Sequence, residues 1–283
     1  NTSGSQNTFV GRYAGVANTT GADNVVVGSG AFATNTTGSD NTAIGKGALN
    51  ANTTATGNVA VGHDALLDNT TGASNVALGT HALANNTTAD NNTAVGVLAL
   101  TTNTTGARNT AVGLSAMEAN TTASNNTGIG TGALYANTTG ASNTAIGDAA
   151  LDANTTASDN TAVGQGALGA NTTGDENVAI GKGALQSQTT AEDNTAVGTL
   201  ALASTNNTRN LGVGYRALTA QSGSSDNIAI GYDALVRQTT GANGNLAIGN
   251  YAGRAVVSSA STSQLIAIGH TVASNASAAL AGY

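Results

Sequence analysis

Cysteine, proline and tryptophan are absent from the 283 residues, and methionine occurs once. Without cysteine there is neither a disulfide framework nor a thiolate metal site. Aromatic residues are 3% and charged residues 8%, both far below an ordinary soluble domain. A wide interior filled by large rings is therefore excluded. Lys and Arg number eight, against fifteen Asp and Glu, and the net charge is -7. Such a surface is unlike a phosphate-binding one, and no nucleic-acid partner is expected. No run of 18 apolar residues occurs, so the chain is not expected to be membrane-embedded.

What is present is a repeat. The stretch from Asn41 to Gly57 is restated with small edits from end to end. Units begin at Asn7, Asn24, Asn41, Asn58, Asn75, Asn92, Asn109, Asn126, Asn143, Asn160, Asn177 and Asn194, seventeen residues apart. Spacing then loosens through Asn210, Asn227 and Asn245 to a degenerate unit near Leu265, giving about 16 units, with the longest insert around Val256 to Ser263. A unit this short cannot bury a core alone and must stack on its neighbours. We read residues 1–6 as a partial repeat, 7–258 as the repeat domain, and 259–283 as a degenerate last coil and tail. Because Asn1–Gln6 matches the second half of a unit, the chain is expected to be a piece of something longer, or processed.

Within each unit, positions one to five read Asn, Thr or Val, Ala, Val or Ile, Gly, a short β-rich run with period-two alternation. Position five is Gly throughout, including Gly45, Gly62, Gly79, Gly96, Gly113, Gly130, Gly147, Gly164, Gly181 and Gly198. Each is expected at a corner needing positive φ or a close backbone approach. Positions eight and nine are mostly Ala-Leu, and the outer units differ there with Tyr13-Ala14-Gly15 and Tyr251-Ala252-Gly253. Asn-Thr-Thr-Gly turn residues complete the unit. Helical stretches would be only about eight residues, too short to be stable. The expected fold is all-β, a parallel β-solenoid of about 16 seventeen-residue coils.

Strands apolar on both faces are usually covered on both sides. We therefore expect the Val/Ile row to face the coil's own interior. The row of Ala43, Ala60, Ala77 and Ala94 should then face other chains in a homotrimer.

The Asn-Thr-Ala-Ile-Gly and Asn-Val-Ala-Val-Gly runs resemble the Ser-Val-Ala-Ile-Gly runs of YadA-like heads of trimeric autotransporter adhesins. The fuller Gly-x-x-Ala-Leu-x-x-Asn-Thr-Thr-Gly unit looks like shaft repeats of bacteriophage tail fibres. The resemblance implies a left-handed β-roll, three chains about one axis, and a location outside the cell, on its surface or on a virion. It also implies attachment to a surface receptor or glycan. No membrane-anchor barrel, heptad stalk or C-terminal chaperone domain is read within these 283 residues, so either such parts are expected to have been removed or the protein is expected to lie outside both groups.

Several patterns compete with the fibre reading. Asn at positions one and twelve should form amide ladders between coils, with N-glycosylation at Asn52-Thr53-Thr54 and its equivalents as the alternative. Thr pairs such as Thr70-Thr71 and Thr87-Thr88 raise ice binding by a β-solenoid. A secreted filament joined end to end is a third reading. Acids before the unit start, such as Asp40, Asp90 and Asp159, read as solvated turn residues rather than a calcium row. His63, His81 and His270 show no matched ligand spacing, so no metal or cofactor is expected. No catalytic set is apparent and no enzyme is expected. Partner contacts are expected at the variable sixth and seventh positions: Arg12, Lys46, His63, Asp64, Lys182, Tyr215, Arg216, Tyr232 and Asp233.

Overall fold

The computed structural model describes residues 2–221, 223–238, 243–254 and 264–273. The insert expected around Val256 to Ser263, and most of the tail placed at 259–283, lie outside the described residues. The chain forms two compact units, Asn1–Ser142 and Asn143–Tyr283. In the first, eight three-residue strands from Thr8–Val10 to Thr127–Ile129 pair in parallel, each with the next. In the second, eight more run from Thr144–Ile146 to Ile266–Ile268. A parallel β-solenoid is therefore the fold. Eight strands per unit make seven strand-to-strand turns in each, or 14.

Register follows the repeat. Thr42, Ala43 and Ile44 lie beside Val59, Ala60 and Val61. Outside the strands the backbone bonds in the same vertical sense: Leu49 N–H donates to Ala65 O (2.9 Å), and Thr53 N–H to Thr70 O (3.0 Å). In the second unit the loosened spacing brings a second short parallel pair, Ala220–Gln221 with Arg237–Gln238.

The inside and outside of the strand are the reverse of the expected assignment. Ala43, Ala60, Ala77 and Ala94 are fully buried in the coil's own interior, whereas Ile44 is 38% and Leu78 47% exposed. The cause is the narrow cross-section. Leu at position nine is fully buried, as in Leu49, Leu66 and Leu134. It fills the space opposite the strand, leaving room at position three for little more than a methyl group.

That complementarity is visible where the sequence deviates. Position nine becomes Met117, and position three of the following coil becomes Gly128. A Cβ on Gly128 would lie 2.8 Å from Met117 Cγ. The first coil exchanges the two sizes, with Phe9 at position three and Gly15 at position nine. A Cβ on Gly15 would lie 2.8–2.9 Å from the Phe9 ring. The altered Tyr13-Ala14-Gly15 unit is thus explained by packing.

Leu49 adopts φ 53°, and its equivalents down the stack are similarly left-handed. This conformation costs a non-glycine residue about 1–2 kcal/mol. Burying the side chain contributes about 1.5–3 kcal/mol, so the conformation is sustained by packing. The ten corner glycines named above have φ between 131° and 143°, where side-chain-bearing residues scarcely occur. A Cβ on Gly113 would also overlap the carbonyl of Gly130. Both reasons expected for glycine operate together.

Two buried amide ladders bind the coils. Asn at position twelve donates Nδ2–H to Oδ1 of the coil before, as in Asn35 to Asn18 (2.7 Å) and Asn86 to Asn69 (2.8 Å). The same Nδ2 also serves its own turn, as from Asn86 to Ala89 O at 3.0 Å. At position one, Asn58 Oδ1 accepts from Asn75 N–H at 2.9 Å. The ladder at position twelve breaks where Gln188 replaces Asn, and Asn171 Oδ1 is left buried without a hydrogen bond. Gln188 is committed instead to Ala191 O and to Asn194.

Two substitutions test this packing. Gly128→Ala should destabilise the chain by about 1–3 kcal/mol through overpacking, and adding Met117→Leu should recover most of the loss; the urea midpoints of both variants measure it. Gln188→Asn should extend the ladder and raise the urea midpoint by about 1 kcal/mol in stability.

Candidate functional site

Three surface features arise from the stacking. The first is the outer face of the sheet. Strand residues alternate direction, so positions two and four point outward together. Thr42 and Ile44, then Val59 and Val61, form two adjoining columns of β-branched side chains. The stripe continues through each unit and is apolar along position four. Position thirteen behaves differently: Thr53 and Thr70 hydroxyls donate to the carbonyls of Thr70 and Thr87 at 3.0 and 2.9 Å. Half the Thr pair considered for ice binding is therefore engaged with the backbone. Asn52 and its equivalents at position twelve are fully buried in the ladder, which removes the sequon amides from the surface of the folded chain.

The second feature lies in the second unit. Tyr215 and Tyr232 stack with centroids 5.1 Å apart and planes 19° apart. Tyr251 follows at 5.3 Å and His270 at 5.9 Å, both edge-on. Arg216 lies over the Tyr215 ring at 5.7 Å, and Arg254 over Tyr251 at 5.0 Å. Between the two guanidinium groups sits Asp233, 3.2 Å from Arg216 Nε and 3.8 Å from Arg254. Asp233 was expected as a surface contact, but it is buried, with 3% exposure. Its carboxylate positions the two arginines, because a buried charge needs opposite charge close by. Tyr251 and His270 also stand at the seventh and sixth positions of their units but were not named as contacts, and Arg254 lies outside those positions.

The third feature lies in the first unit. His63 Nδ1 is 3.4 Å from Asp64 Oδ2. The rings of His63 and His81 meet at right angles with centroids 5.5 Å apart. One ligand atom from each of His63, Asp64 and His81 falls within 4.8 Å of the others. The sequence suggested no matched spacing for these histidines; stacking brings two of them together. They are eighteen residues apart, one more than the repeat, so position six of one coil meets position seven of the next.

No family model matches this chain, and no curated protein sequence matches it.

Of the other expected contacts, Arg12 is exposed and donates to the Tyr13 hydroxyl at 3.0 Å, with its guanidinium 4.6 Å from that ring. Lys46 and Lys182 are exposed. Lys46 neighbours the histidine group through its carbonyl, which accepts from Asp64 N–H at 2.9 Å. Burial pushes the Asp152 carboxyl up, with the nearby Asp148 charge adding to it. The hydrogen bond from Arg209 holds the exposed Asp226 carboxyl down. Among the described residues, no helix is long and apolar enough to cross a membrane.

Proposed function

We propose that the chain is a non-enzymatic structural and adhesive fibre segment that works as a homotrimer outside the cell, on a cell surface or on a virion. The observation that carries this reading is the outer stripe of half-exposed Val, Ile and Leu at position four, continuous through each unit. An apolar stripe of this extent on a regular sheet calls for a covering partner. On a repetitive solenoid the simplest cover is another copy with the same stripe and spacing. The face is the aliphatic one, not the alanine one; the reason for association, a sheet apolar on both sides, is unchanged.

The resemblance to YadA-like heads and tail-fibre shafts supports three copies and an attachment role. Attachment to a receptor or glycan fits the Tyr215–Tyr232–Tyr251 ladder. Flat, partly exposed rings at about 5 Å intervals, flanked by guanidinium groups, offer stacking faces and hydrogen-bond donors together. Three copies of such a ladder would bind multivalently.

Light scattering on the intact protein should give three times the 27.2 kDa of one chain. Val95→Asp together with Val112→Asp, on the outward row of the first unit, should reduce this to one chain while leaving far-ultraviolet circular dichroism unchanged. A wild-type mass of a single chain would sink the trimer.

One observation favours a second reading. The outward columns pair Thr at position two with Val or Ile at position four, as in Thr93 with Val95 and Thr110 with Val112. A flat, regular array of hydroxyl and methyl groups suits an ice surface. Thermal hysteresis by a single-chain species would establish that reading, and its absence would remove it.

A further inference from the structure

We propose that His63, Asp64 and His81 form a binding site for a divalent transition-metal ion of the zinc type. Two imidazoles and one carboxylate are a borderline donor set. Such a set suits Zn²⁺, Ni²⁺ or Cu²⁺, whereas Ca²⁺ and Mg²⁺ require more oxygen ligands than this group can give. In a tetrahedral zinc site with bonds of about 2.0–2.1 Å, neighbouring donors lie about 3.3 Å apart. His63 Nδ1 and Asp64 Oδ2 already stand at 3.4 Å. With all three ligand atoms within 4.8 Å, the remaining closure is about 1.5 Å. Rotation about the side-chain bonds of two histidines supplies that without moving the backbone.

The backbone is well placed to hold such a site. His81 N–H donates to His63 O at 3.0 Å, clamping the coils that carry the two imidazoles. Asp64 and His81 share the same left-handed conformation, φ 52° and 56°, at the same position of consecutive coils. Gly47 lies at that position one coil earlier, and a Cβ there would collide with Asp64 Oδ1. The missing side chain is what gives the carboxylate its space. His63 is 44% and Asp64 22% exposed as side chains, so an ion can enter from solvent, and water completes its coordination.

The test uses the full chain and Zn²⁺ alone, titrated calorimetrically at neutral pH. One ion per chain should bind, and excess Ca²⁺ should not displace it. His63→Ala and His81→Ala should each weaken binding more than about tenfold, whereas His270→Ala should not change it. The proposal is overturned if the wild type shows no saturable uptake, or if the His63→Ala/His81→Ala double variant binds as the wild type does. Should a variant fail to fold, the three histidines of the wild type can be observed by selective labelling and nuclear magnetic resonance. Zn²⁺ should then shift the imidazole signals of His63 and His81. A shift of His270 alone, or of none, refutes the site.

Discussion

Hydrogen bonds between equivalent residues of successive coils are what the rest of this structure depends on. The backbone supplies most of them, but the buried asparagine ladders keep the coils in step. A carboxamide carries donor and acceptor together, so each Asn can receive from the coil above while giving to the coil below. Aspartate has no donor and a hydroxyl cannot reach both neighbours. The interior can therefore be polar at its corners without leaving amides unpaired. The exception is at Asn171, where Gln188 withdraws from the ladder one coil before the first shortened unit, which starts at Asn194.

Given that register, the cross-section has little freedom. In most coils one leucine reaches across to one alanine, and two departures are matched in size, Met117 with Gly128 and Phe9 with Gly15. The coil spends its single large side chain from the wall opposite the sheet. The β-branched residues of the sheet are displaced outward. An aliphatic exterior on a molecule with so few charged residues is the feature on which the proposed association rests.

Most of the chemically distinctive side chains stand at positions six and seven, just beyond the corner glycine, with Arg254 further along its coil. There the coil is rigid but the side chains are free of packing duties, so residues can change without disturbing the stack. Vertical spacing of about 5 Å turns single substitutions into columns. Tyr215 and Tyr232 become a stacked pair, and His63 with His81 a convergent one. Asp233 shows the opposite outcome: a residue at a variable position is drawn inward to anchor two arginines.

The order of residues along the chain was sufficient for the solenoid, for its strand positions, for the corner glycines and for the amide ladders. Each of these follows from periodicity, which is a one-dimensional property. Which side of the strand faces inward was not contained in the period, because Ala and Val/Ile are both apolar and alternation alone cannot rank them. That was decided by the volume left after the leucine row is enclosed, a quantity that exists only once the coil has closed. Tyr215 and Tyr232 share position six, so their stacking follows from the period, whereas His63 with His81 and Tyr232 with Tyr251 join positions six and seven and meet only in the stacked coils.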